Sequence, residues 1–263
     1  TIYPGGTVDL LGRVIEAKAG MKLDEDLYLV NVPERINPDD KNHTIEFIPR
    51  VLGGVGPRSL ANGVEFYHDR LGLNVQPVDD IRIAEASKLL ENSFRLLNIS
   101  FMNELKRKFD ADGLDLNKVI KACSTKPFGF MRFLPGPYVG GPCISKDSLM
   151  LAHTTESEML RKALEINDNQ PRYYARKIED IIQAERARKV LFYGMGFKPG
   201  SRYDIDSPVH KIASVIDMDG LEIRKYDPNI PERSDFEDED EALKWADLIL
   251  SWGYPIGIRI ETL

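Results

Sequence analysis

Residues 80–112 contain neither glycine nor proline, and within them Ile83, Leu90, Phe94, Leu97, Phe101 and Leu105 recur at the three- and four-residue spacing of one helical face. A run of that length without a breaker commits the chain to one long helix. Ala86, Leu89 and Leu96 widen the apolar surface, so the helix is expected to be covered on more than one side, by its own core and by the same helix of a second chain.

The flanking segments follow another rhythm. Residues 27–32 form a short, nearly continuous apolar run, as expected of a buried parallel strand. The run ends at Pro33-Glu34-Arg35, a loop of the kind where open α/β sheets place ligands. Residues 51–54 and 73–77 are further strand candidates around a helix over 57–70. Shorter helices are expected over 116–123 and 146–153, and a longer one over 171–188. From residue 189 the pattern is strand, glycine-containing turn, helix over 207–217, strand over 221–226, helix over 241–246, strand over 248–250. Such a β-α-β-α-β series implies a doubly wound parallel unit. The fold class is therefore α/β in three parts: a Rossmann remnant (1–79), a helical middle (80–170) and a second Rossmann-like unit (171–263).

Bulk properties narrow the function classes. The 263 residues carry a net charge of −7, which argues against a general nucleic-acid surface. No run approaches the roughly 18 apolar residues of a membrane span. Two cysteines make no disulfide framework and suit a cytoplasmic protein. His43, His68, His153 and His210 show no zinc-ligand spacing, so no metal is expected.

Cys123, inside an apolar helical stretch, reads as a small core residue. Cys143 differs. It follows Gly140-Gly141-Pro142 and precedes Asp147 by four residues. Glycines let backbone approach a ligand closely, and a thiolate there can attack a bound carbonyl. Lys88 and Asn92, four apart, share a helical face.

The run from Ser124 through Pro127-Phe128-Gly129-Phe130-Met131, Phe133-Leu134-Pro135-Gly136-Pro137 and Gly140-Gly141-Pro142-Cys143 resembles the active-site segment of the UDP-glucose/GDP-mannose dehydrogenase family, in particular its UDP-N-acetylhexosamine branch. The stretches 85–95 and 98–105 resemble its lysine-asparagine helix. The turn Thr1-Ile2-Tyr3-Pro4-Gly5-Gly6-Thr7 resembles its Ser-Thr-Val-Tyr-Pro-Gly-Thr turn, and residues 32–38 resemble its Pro-Glu-Arg loop. Pro38 stands where UDP-glucose enzymes carry a second glutamate, whereas Lys146-Asp147 leans towards those enzymes.

That resemblance implies an NAD-dependent four-electron oxidation of a nucleotide sugar, UDP-N-acetylhexosamine or UDP-glucose, taking the C6 alcohol to a carboxylate through a cysteine thioester. It implies that Cys143 is the nucleophile, Lys88 and Asn92 hold the substrate oxygen, and Asp147 is an acid/base. Glu34 becomes a candidate general base, and Thr1 helps position a catalytic water. Arg35, Ile36, Phe133, Leu134, Gly140, Phe197 and Lys198 become substrate-binding residues. The implied assembly is a homodimer through the long helix, in the cytoplasm, with no nucleic-acid or membrane partner.

The pattern also departs from the family. No Gly-x-Gly-x-x-Gly turn for a dinucleotide diphosphate appears; Gly194-Met195-Gly196 lacks the third glycine. Ile205 replaces an arginine that touches the cofactor, and Arg202 is out of register. The chain enters the family pattern at Thr1 and leaves it at Leu263, so half of an NAD domain and the last part of the third domain are expected to be missing. A catalytically incomplete nucleotide-sugar-binding fragment unable to bind NAD is the alternative.

Overall fold

The computed structural model describes residues 1–36, 42, 44–198, 200–253 and 261–262. Pro38 and Pro199, given motif positions above, lie outside the described residues. Internal packing divides the chain into two compact units, residues 1–94 with 146–160 and residues 95–145 with 161–263.

In the first unit a π-helical turn runs into α1 (Arg13–Ala19). A three-stranded sheet follows, with strand order β1 (Val30–Asn31), β2 (Arg50–Gly54), β3 (Val75–Val78). Between β2 and β3, helix α2 (Pro57–Val64) crosses over, and β2 and β3 pair in parallel. The expectation for 27–32 is corrected: only Val30 and Asn31 pair, half-buried, and they run antiparallel to β2. Hydrophobic periodicity reports burial but not strand direction, and a two-residue edge strand has little of either to report.

The long helix is α3 (Ile81–Ala111). Its buried side is built from Ile81, Ala84, Leu89 and Leu96, whereas Ile83, Leu90, Phe94 and Phe101 are 44–63% exposed. Four of the six residues of the stripe that marks the helix in the sequence thus face outward, while Leu97 and Leu105 pack on the core.

The second unit contains α4 (Leu116–Cys123), whose Asp115 caps it by accepting from the Asn117 and Lys118 N–H groups. Leu116 and Ile120 of α4 pack on Met102 of α3. Cys123 ends the helix exposed, not in the core as its apolar neighbours suggest. Helix α5 (Ile144–Thr155) falls largely in the first unit, through residues 146–155, and α6 (Glu158–Glu185) largely in the second. The latter begins 13 residues before the expected start and carries Pro171 inside it. A proline suits a helix's first turn, but here the helix runs through it.

A four-stranded parallel sheet completes this unit, in the order β5 (Glu222–Tyr226), β4 (Lys189–Tyr193), β6 (Leu248–Ser251), β7 (Glu261–Thr262). Helices α7 (Pro208–Ala213) and α8 (Glu239–Trp245) connect the strands. Val190, Phe192 and Leu250 pack on Ile178, Ile182 and Ile212, while Leu191, Tyr193 and Ile249 pack on Phe236 and Ala242. Both faces of the central strands β4 and β6 are covered, and this is why those two read as apolar runs, whereas β5 at the sheet edge alternates. Among the described residues, no helix is long and apolar enough to cross a membrane.

Candidate active site

In the first unit, one helix supplies three of the polar groups. Asn92 on α3 donates its Nδ2 to Oδ2 of Asp147 at 2.7 Å. Asp147, in the first turn of α5, is fully buried, and its Oδ1 has no hydrogen-bond partner. A buried carboxylate oxygen left open is costly, so it marks a place where a water or a ligand donor is wanted. Lys88 lies one turn before Asn92, half-buried, and its ammonium has no ion pair or hydrogen bond among the described residues.

Glu85, one turn earlier again, is 2% exposed. Its carboxylate accepts from the backbone N–H groups of Gly5 and Thr7, the latter at 2.8 Å. That tie fastens the turn opened by Thr1 to the lysine-asparagine helix. Thr1 itself is exposed, while the Thr7 hydroxyl accepts from Asn31 Nδ2 at 3.1 Å. Sequence reasoning missed Glu85, although its spacing from Lys88 puts it on the same side of the helix.

The Pro33-Glu34-Arg35 loop is held by charge. Glu34 accepts from the N–H groups of Arg35 (2.7 Å) and Ile36 (2.8 Å) through Oε1, and from Arg50 at 2.6 Å through Oε2. Partial burial pushes the Glu34 carboxyl up, but the Arg50 guanidinium and the two N–H donors outweigh it and hold it below the ordinary range. Arg35 forks onto Glu91 of α3 at 3.0 and 2.5 Å and donates to the Pro49 carbonyl. Arg50, buried on β2, carried no signal in the sequence.

In the second unit, Cys143 is exposed and immediately precedes α5. Its loop packs against the turn after β4. A Cβ on Gly140 would stand 2.0 Å from the Asp206 carbonyl oxygen, and one on Gly141 (φ +83°) 2.8 Å from the Phe197 ring. The structure therefore places Gly140 against Asp206 and Gly141 against Phe197, in the loop that carries Cys143. The Lys198 amine lies 5.6 Å from the Phe197 ring centre. Phe133 packs on Met102, Leu116 and Ile120, while its neighbour Leu134 is 48% exposed. Beside this loop the Tyr138 hydroxyl donates to Asp206 at 2.8 Å, and burial together with that carboxylate raises its pKa. Ile205 is exposed.

No Gly-x-Gly-x-x-Gly turn to cradle the dinucleotide diphosphate that the resemblance implies is present among the described residues. At the carboxyl end of β2, a Cβ on Gly54 would meet the Leu60 nitrogen at 2.4 Å, so glycine there lets α2 pack closely on the strand.

Residues 82–169 match the UDP-glucose/GDP-mannose dehydrogenase family, central domain. Protein CapL of Staphylococcus aureus is 33% identical over 95% of this chain and 59% of its own length. UDP-N-acetyl-D-glucosamine 6-dehydrogenase of Pseudomonas aeruginosa is 31% identical over 87% of this chain and 56% of its own. The solved UDP-N-acetyl-mannosamine dehydrogenase of S. aureus superposes with a TM-score of 0.82 at 28% identity, covering 96% of this chain and 60% of that one. The chain spans under two thirds of the length of these relatives. Lys88, Asn92, Cys143 and Asp147 all fall inside the matched span, and residues 82–169 are a central domain of the UDP-glucose/GDP-mannose dehydrogenase family.

Proposed function

We propose that this chain performs the sugar-side chemistry of a nucleotide-sugar 6-dehydrogenase, with a UDP-N-acetylhexosamine favoured over UDP-glucose as substrate. The relatives' names support the substrate class. The observation that carries the reading is Asp147: fully buried, one oxygen on Asn92, the other open, one turn after Cys143.

In this reading Lys88 stabilises the negative charge that develops on the C6 oxygen, a demand met best by a fixed cation. At the aldehyde level the Cys143 thiolate adds to C6 and forms the carbon–sulfur bond while the carbonyl π pair moves to oxygen. The second hydride leaves that thiohemiacetal for a hydride acceptor, which gives the thioester. At the thioester level the Asp147 oxygen takes a proton from water, the water oxygen bonds to C6, and the sulfur leaves as thiolate. Asn92 orients that carboxylate. Thr1 contributes to placing the water, and Glu34 is the loop's candidate base, although ionised and triply bonded. Arg35, Ile36, Phe133, Leu134 and Gly140 line the sugar side; Phe197 stacks and Lys198 meets a phosphate.

The family's hydride acceptor is NAD, and because no described residue cradles its diphosphate, none is given a role towards it. Residues 1–79 are then the second half of a cofactor domain, 80–170 the central domain and 171–263 the nucleotide-sugar unit. The outward apolar stripe of α3 packs on the same stripe of a second chain, and the protein is cytoplasmic.

The lack of a Gly-x-Gly-x-x-Gly turn in these residues favours a second reading, a nucleotide-sugar-binding fragment without NAD. Titration with UDP-N-acetylglucosamine and with NAD, followed by NADH absorbance, separates the two. Turnover supports the first, and Lys88→Ala then lowers it by about 100-fold or more. Sugar binding without NAD binding supports the second, and absence of both rejects each.

A further inference from the structure

Cys143 sits in a loop that closes on itself. The Ser145 hydroxyl donates to the Val139 carbonyl at 2.9 Å, so residues 139–145 form a hydrogen-bonded ring that contains the sulfur-bearing residue. One side chain from α6 grips the base of this ring. Asn167 accepts from the Val139 N–H through Oδ1 at 2.7 Å and donates Nδ2 to the Val139 carbonyl at 3.2 Å. A longer contact, 3.5 Å, reaches the Ser145 hydroxyl. Asn167 has no exposed surface and Val139 is 8% exposed. An amide that satisfies both the N–H and the C=O of one residue fixes that peptide as a neighbouring strand would.

Two more fully buried amides hold the approach to the ring. Asn103 of α3 accepts from the Gly136 N–H at 2.8 Å, and Gln170 of α6 donates to the Gly136 carbonyl at 3.2 Å. Arg107 holds the Gln170 carbonyl oxygen at 2.7 and 3.1 Å, which leaves that amide's NH2 to face Gly136. Earlier in the same connection the contrast is plain. Ser124 and Thr125 bond only to the last turn of α4, and residues 121–129 are exposed. Burying amides is unfavourable unless they are matched; the Asn103 Nδ2 has no partner among the described residues, but its Oδ1 and the amides of Asn167 and Gln170 are all spent on the one stretch of backbone that leads to Cys143.

We infer that Asn167 is the positioning residue for the Cys143 thiol: acting through Val139 and Ser145, it sets where the sulfur meets the carbonyl carbon of a bound nucleotide sugar. The ligand's identity rests on the proposed function; the ring does not.

The test uses the whole chain and three variants, Asn167→Asp, Ser145→Ala and Ser145→Thr. Asn167→Asp keeps the acceptor and removes the donor, and Ser145→Thr restores the hydroxyl. Hydrogen exchange of the 139–145 segment should accelerate about tenfold in Asn167→Asp and Ser145→Ala, the effect of one lost hydrogen bond, and should stay at the wild-type rate in Ser145→Thr. Unchanged exchange in the first two overturns the inference.

In parallel, iodoacetamide labelling is followed at Cys143, with exposed Cys123 as the internal reference, and with UDP-N-acetylglucosamine as protectant. The protecting concentration for Cys143 should rise about tenfold in Asn167→Asp and Ser145→Ala and return in Ser145→Thr, while Cys123 labels alike throughout. Equal protection in all four proteins reduces Asn167 to a structural role and overturns its positioning role. If the sugar fails to protect Cys143 even in the wild type, the proposed function fails, and the exchange arm alone decides the inference.

Discussion

The Glu34–Arg35 loop and the Cys143 loop both present site side chains from irregular backbone, yet opposite chemistry holds them. The first is tied by ions: Glu34 to Arg50, Arg35 to Glu91, and nearby Glu85 to two backbone N–H groups. The second is tied by uncharged amides and by glycines with no room for a side chain. Ionic ties titrate and are screened by salt. Buried amide ties do neither. The difference suits the roles proposed for them, a polar pocket rim that can adjust around a charged ligand and a nucleophile whose aim must not drift with conditions.

The strongest way to break the comparison is at Glu85. Glu85→Ala removes two charge-assisted bonds from buried backbone, and its expected cost is about 3 kcal/mol in urea unfolding. A loss below about 1 kcal/mol would show that charge does not hold the Thr1–Thr7 turn. On the uncharged side, Gly140→Ala places a methyl 2.0 Å from the Asp206 carbonyl. Backbone cannot yield cheaply, so about 2 to 3 kcal/mol is expected from the same measurement. Wild-type stability in that variant would mean that the loop is free to move aside.

Acid sharpens the contrast further. The Glu34 carboxyl is held below its ordinary value of 4.5, so its contribution is present above that value and is lost as pH falls through the lower folded one. Exchange of residues 34–36, corrected for intrinsic rates, should therefore rise as pH falls below 4.5, whereas the Val139 amide stays protected. Asp110 of α3 gives a scale for the effect. Burial pushes its carboxyl up, but Lys177, Tyr173 and Lys106 outweigh this and lower it from 3.8 to about 2. Its contribution, about 2 kcal/mol, is complete above pH 3.8 and gone below about pH 2. Asp110→Asn should abolish that part of the acid dependence. If Val139 loses protection over the same range as residues 34–36, the distinction between the two loops is unfounded.

Much of the architecture was legible because long segments carry many redundant signals. The helix expected over 80–112 runs Ile81–Ala111, and the alternation after residue 189 became the parallel sheet β5-β4-β6-β7. What escaped was decided by single partners far away in sequence. The apolar stripe of α3 announced a helix but not which side faces the core; Ala84, Leu89 and Leu96 take that side. Pro171 looked like a helix start because a proline normally is one, and nothing local reveals that α6 continues through it. The site divides in the same way. Cys143, Lys88, Asn92 and Asp147 were visible as a motif, and the Asn92–Asp147 bond makes two of them neighbours. Glu85, Arg50 and Asn167 are ordinary polar residues until the fold shows that each is buried against backbone or an opposite charge.

The smallest expected effect on stability is at Arg35, and that makes it the cleanest probe of the charged loop. Its fork onto Glu91 is well formed at 3.0 and 2.5 Å, but the two side chains are 25% and 44% exposed. Pairs of that kind contribute about 1 kcal/mol or less, so Arg35→Ala should shift the urea midpoint only slightly. The proposed role predicts more for ligand binding. A guanidinium that leaves Glu91 to meet an anionic nucleotide sugar gives a charge-assisted bond of about 1.5 to 3 kcal/mol, a weakening of roughly tenfold or more on its removal. Glu91→Gln separates the two uses of the same side chain. It frees Arg35 without deleting it, so UDP-N-acetylglucosamine should bind at least as tightly as to the wild type in calorimetric titration. If Arg35→Ala leaves that affinity unchanged, Arg35 serves only to pin its loop to α3, and the pocket rim must find its cation elsewhere.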